Sequence, residues 1–147
     1  MTMQKHTIVY AEDDLDDVFI LQQAFQRHDH IEVLHAPDGK IALSLLENMA
    51  GDKVLPCLVI LDINMPVMNG REALQAIRSH EELQSLPVVL FSTSNSTADK
   101  LFAETYEALL VTKPVEFAGL ESIVEQFINR CNFEINKYYT NTSYRNS

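Results

Sequence analysis

The sequence places side chains suited to phosphate and divalent cations directly after apolar runs. Glu12, Asp13 and Asp14 follow the run from His6 to Ala11, and Asp62 closes the run from Cys57 to Leu61. Ser92, Thr93 and Ser94 follow Val88 to Phe91, and Lys113 follows Leu109 to Thr112. Carboxylates crowded into one place repel each other and need a compensating cation. Oxygen donors that leave room for water and phosphate suit Mg²⁺, which rarely uses an all-protein cage. A lysine facing the acids supplies a second positive charge, and a hydroxyl can donate to a phosphoryl oxygen. A carboxylate nucleophile, a metal and electrostatic clamps are the parts of phosphoryl transfer through an aspartyl phosphate. An unpaired acid at the end of a buried strand is costly, so Asp62 reads as a functional group.

The elements that must bring these groups together alternate along the chain. Strands are expected at His6 to Ala11, Ile31 to Ala36, Cys57 to Leu61, Val88 to Phe91 and Leu109 to Thr112. Helices are expected over Asp16 to His28, Gly39 to Met49, Arg71 to His80, Ala98 to Tyr106 and Phe117 to Cys131. The run Cys57 to Leu61 is continuously apolar, as in a strand buried on both faces. Five strands alternating with five helices imply an α/β fold with a parallel sheet covered on both sides. Right-handed crossovers leave few arrangements, of which the flavodoxin-like (βα)5 order 2-1-3-4-5 is the expectation. In that order strands one, three, four and five are neighbours, so the polar groups at their carboxyl ends converge on one edge.

Length and composition bound the rest. At 147 residues the chain is expected to hold one domain, 1–131, followed by a short polar segment, 132–147, too short for an output domain. That segment reads as frayed or as an extension of the last helix. The net charge of −10 disfavours nucleic-acid binding, because the electrostatic contribution would be repulsive. No apolar run is long enough for a membrane span, and the first residues lack a signal-peptide core. Cys57 and Cys131 lie far apart and suggest neither a metal site nor a disulfide framework, so Cys57 reads as a core thiol and a reducing, cytoplasmic location is expected. Asp16 and Asp17 read as helix-cap and first-turn acids, and Ser94, Ser96 and Thr97 as turn or cap residues. The five histidines show no ligand spacing and read as surface residues away from the site.

Four stretches together resemble the receiver domains of two-component response regulators. Ala11-Glu12-Asp13-Asp14 is similar to their acidic turn, and Asp62-Ile63-Asn64-Met65-Pro66-Val67-Met68-Asn69-Gly70 to their phosphoacceptor loop, D-x-x-M-P-x-M-x-G. Phe91-Ser92-Thr93 resembles their hydroxyl position and Lys113-Pro114 the end of their fifth strand. The resemblance spans roughly residues 5 to 131, and its finer features are similar to stand-alone receivers that partner phytochrome-like sensor kinases. It implies that Asp62 accepts a phosphoryl group from a histidine kinase or a phosphotransfer protein. It also implies that Asp13 binds Mg²⁺ directly, Glu12 through water, and Asn64 through its backbone carbonyl, beside Asp62 itself. Ser92 and Lys113 would bind the phosphoryl oxygens. A downstream protein partner, or a second copy in a homodimer, would meet the surface around the fourth helix, fifth strand and fifth helix.

The sequence departs from the family pattern at three places. The switch hydroxyl is Ser92 where threonine is more usual, Leu110 stands where many receivers carry an aromatic residue, and Tyr106-Glu107 replaces a common Gly-Ala. Three other functions share this fold class. A phosphate-independent binding module does not account for the intact Asp62, Ser92 and Lys113. An aspartate-nucleophile phosphatase usually needs a second acid where Asn64 stands, and a flavodoxin-like electron carrier would have Glu12-Asp13-Asp14 repelling its cofactor phosphate.

Overall fold

Successive side chains of a strand point to opposite faces of its sheet. In β1 (His6–Ala11), Ile8 and Tyr10 enter one core while Val9 and Ala11 enter the other. β3 (Leu58–Leu61) divides the same way, with Leu58 and Ile60 on one side and Val59 and Leu61 on the other. All four β3 residues are buried, which is why this strand reads as a continuous apolar run. The computed structural model describes residues 5–145 apart from Ser94, with side chains as far as residue 137.

The remaining elements are α1 (Leu15–Phe25), β2 (Ile31–Ala36), α2 (Gly39–Gly51), α3 (Gly70–Ser79), β4 (Val88–Ser92), α4 (Thr97–Thr105), β5 (Leu109–Thr112) and α5 (Phe117–Arg145). The five strands are parallel in the order β2-β1-β3-β4-β5, as the sequence implies. One core lies between the sheet and α2 and α3, where Leu46, Leu74 and Ile77 meet Val59, Leu61 and Leu90. The other lies beneath α1 and α5, where Leu21, Phe25, Val124 and Phe127 meet Ile8, Tyr10 and Phe91. No helix among the described residues is long and apolar enough to cross a membrane.

Four of the five helix starts are set by a local cap. Asp14 caps α1 by accepting from the backbone amides of Asp16 and Asp17, and Asp38 and Ser96 cap α2 and α4. Asn69 and Glu72 form a reciprocal capping box on α3. Asp16 and Asp17 thus lie in the first turn of α1, and Asp14 is its cap. Ser94 lies outside the described residues.

One feature differs from the sequence expectation. Cys57 and Cys131 form a disulfide, joining the start of β3 to α5 across 74 residues of chain. Neither a core thiol nor an unpaired cysteine remains, and the argument from cysteine usage to a reducing compartment falls with it. The pairing depends on α5 crossing the foot of β3, a tertiary relation that spacing does not encode. α5 continues as helix through position 131 to Arg145, the extension of the last helix that the sequence left open beside fraying.

Candidate functional site

Among the described residues, the polar groups singled out at strand ends stand at the carboxyl edge of the sheet. Ala11 pairs with Leu61 and Ser92 with Thr112, so Glu12, Asp62, Ser92 and Lys113 emerge side by side. Backbone hydrogen bonds lock these ends: the Asp62 amide donates to Ala11 (3.0 Å) and the Lys113 amide to Ser92 (2.9 Å). The loop after Asp62 turns back tightly onto α3. The Gly70 amide donates to Ile63 at 3.0 Å, and a β-carbon at Gly70 would meet the Asp62 carbonyl oxygen at 2.2 Å. Only glycine permits this approach. In the same loop Val67 holds φ at 68°, an unfavourable conformation for a β-branched residue.

Carboxylate oxygens of Glu12, Asp13 and Asp62 lie within 4.8 Å of one another. Glu12 and Asp62 are buried, whereas Asp13 is exposed. Asn64 is exposed, and its amide donates to Asp62 Oδ1 at 3.4 Å. Burial, followed by the proximity of Asp62, pushes the Glu12 carboxyl up to about 8, although Lys113 works against the rise. A cluster so reluctant to carry its full negative charge is matched chemically by a hard divalent cation with oxygen ligands. Ser92 is buried at the end of β4.

Lys113 is the positive pole of the site. Its ammonium donates to Glu12 Oε1 and to Asp17 Oδ2 (2.9 Å), and it stands 3.6 Å from Asp62 Oδ2. Burial alone would lower its pKa, but the hydrogen bonds to Glu12 and Asp17 and the field of Asp62 outweigh that and raise it. Tyr10 sits beneath, donating to Glu12 Oε1 at 3.2 Å. Its hydroxyl is held protonated by burial and by the neighbouring acids.

Two residues reach the site that the sequence reading left outside it. Asp17, read as a first-turn acid, also accepts from Lys113. His35, read as a surface histidine, lies 2.7 Å through Nε2 from the Glu12 carbonyl oxygen. For His35 a signal existed: β1 and β2 are equal in length and pair in register, with Tyr10 opposite His35, one residue from the edge. For Asp17 the signal is only its place in the first turn of the helix after the acidic turn, which does not show what its side chain meets.

Beside the site, a groove of about 280 Å³ runs between α1 and the β5–α5 connection, lined by Ile20, Leu21, Phe91, Pro114, Val115 and Phe117. Farther along the same edge, Arg71 of α3 pairs with the buried Asp99 of α4 and lies over the Phe102 ring, with 5.2 Å from its guanidinium carbon to the ring centroid. Leu110 is half-buried and packs with Phe102 and Tyr106 against the α2–α3 core.

Known proteins show the same organisation. The family model described as the response regulator receiver domain matches residues 8–125. The probable methanogenesis regulatory protein FilR2 of Methanothrix harundinacea is 34% identical over 125 residues, covering 81% of this chain and 79% of that protein. Response regulator Rcp1 of Synechocystis is 31% identical over 123 residues, covering 80% of this chain and 83% of that protein. Its Mn²⁺-bound structure has a TM-score of 0.72 at 25% identity, covering 80% of this chain and 91% of that one. The phosphorylated cyanobacterial phytochrome response regulator RcpA has a TM-score of 0.76 at 29% identity, covering 84% of this chain and 91% of that one.

Proposed function

Since this chain belongs to the response regulator receiver domain family, we propose that it is a phosphorylation switch whose acceptor is Asp62. The observation that carries this reading is the meeting of Glu12, Asp13 and Asp62 with the Lys113 ammonium at one edge of the sheet. An Asp62 carboxylate oxygen attacks the phosphorus of a phosphohistidine on a histidine kinase or a phosphotransfer protein. The phosphorus–nitrogen bond breaks, and the donor imidazole leaves with the electron pair. Glu12, Asp13, Asp62 and the Asn64 carbonyl would hold Mg²⁺, which when bound neutralises charge on the transferring group. Lys113 stabilises the negative oxygens from the opposite side, and the Ser92 hydroxyl donates to one of them. The RcpA structure was solved in a phosphorylated form and the Rcp1 structure with Mn²⁺, which supports both parts of the reading.

The phosphorylated state would present an altered surface to a downstream protein or to a second copy. The chain would act as a switch and not as an enzyme on a separate substrate. Intact-mass measurement after incubation with acetyl phosphate and Mg²⁺ tests it. One phosphate adduct is expected, absent with EDTA and absent in Asp62→Asn. No adduct under any condition would favour a phosphate-independent binding module and withdraw the role of Asp62.

A further inference from the structure

The Lys113 ammonium has three donors and faces three carboxylates. Two donors are committed, to Glu12 and to Asp17 at 2.9 Å, while Asp62 at 3.6 Å lies beyond hydrogen-bonding distance. Asp17 therefore pulls the ammonium toward α1, away from the acid that it would serve. The two committed acids differ in kind. Glu12 is fully buried and receives a Tyr10 hydroxyl as well, so its bond to Lys113 belongs to the frame of the site. The Asp17 side chain is 40% exposed and could surrender its bond to water at little cost. It is also placed independently of the strands, on the first turn of α1 behind the Asp14 cap.

We propose that Asp17 is a positioning residue that restrains Lys113 in the resting state and slows phosphorylation of Asp62. The inference rests on the reading of Asp62 as acceptor and adds a residue to it. An incoming phosphoryl group must attract the Lys113 ammonium against the pull of Asp17. With Asp17 neutralised, Glu12 and the Lys113 backbone bond to Ser92 still hold the lysine in place, and the weakened pull toward α1 lets the ammonium shift toward Asp62. The same shift brings the ammonium closer to the acids that would hold Mg²⁺.

The test compares wild type, Asp17→Asn, Asp17→Glu and Asp16→Asn, with Lys113→Ala as background. Asp16→Asn removes the same charge from the same helical turn without touching Lys113, and so reports the general effect of charge on an anionic donor. Phosphorylation rates with acetyl phosphate and Mg²⁺ are read by intact mass, and Mg²⁺ affinity is read separately by titration with the metal alone. Asp17→Asn is expected to be phosphorylated faster than Asp16→Asn, on the order of twofold to fivefold, the range of one partly exposed ion pair. It should also bind Mg²⁺ more weakly than Asp16→Asn. Asp17→Glu should return toward wild type, and in Lys113→Ala the difference between the two Asn variants should vanish. Phosphorylation of wild type with equal rates and equal Mg²⁺ affinities in Asp17→Asn and Asp16→Asn overturns this inference alone. A wild type that neither takes up phosphate nor binds Mg²⁺ overturns it together with the reading on which it rests.

Discussion

The two ends of β3 are separated by four apolar residues and are held by opposite means. Before the strand, Cys57 is tied covalently to Cys131 of α5, in surroundings that bury both residues. After it, Asp62 sits among like charges, balanced by the shared ammonium of Lys113. A covalent tie works mainly by restricting the unfolded chain and is indifferent to salt and pH within the ordinary range. A cluster of buried acids depends on protons, cations and the position of one lysine. The strand between them has no freedom of its own: its four side chains fill both cores. One end of the sheet is thus anchored while the other can respond to charge.

The largest expected effect breaks the anchored end. With the cysteines 74 positions apart in sequence, reducing the disulfide, or replacing both cysteines by serine, should lower stability by about 4 kcal/mol. Urea melts with and without a reductant would measure it, and phosphate uptake at Asp62 should survive. A smaller effect tests the responsive end. A Glu12 carboxyl raised from 4.5 to about 8 binds its proton more tightly in the folded state than in the unfolded one. The stability that this gives is fully present below the ordinary carboxyl pKa, and it is lost as pH rises toward about 8. A divalent cation can replace that proton, so the rise in Tm on adding Mg²⁺ should be slight near about pH 5 and grow steadily toward about pH 8.5. Thermal melts across that range check the sign, and a Tm gain independent of pH would contradict it. The smallest effect concerns Val67, the β-branched member of the three non-glycine residues with positive φ among the described residues. Val67→Asn should stabilise the protein by roughly 1 kcal/mol, measured by denaturant unfolding, because asparagine tolerates this conformation better.

The fold was legible because its signals are local. Continuous apolar runs marked the strands buried on both faces, and Ser96, read as a turn or cap residue, caps α4. The order of the strands followed from alternation and handedness, and that order alone brought Glu12, Asp62 and Lys113 to one edge. His35 was recoverable in principle, since the register of β1 with β2 places it beside Tyr10, two residues before Glu12.

The sequence by itself determined which side chains stand at strand ends, because strand period and crossover hand leave few choices about what leaves the sheet at its carboxyl edge. Only the tertiary structure decided which side chains meet between elements that share no backbone register. Asp17 reaches Lys113 because of the angle at which α1 lies on the sheet, and Cys131 reaches Cys57 because α5 crosses the foot of β3. Packing of side chains from distant parts of the chain sets those angles, and no local spacing contains them.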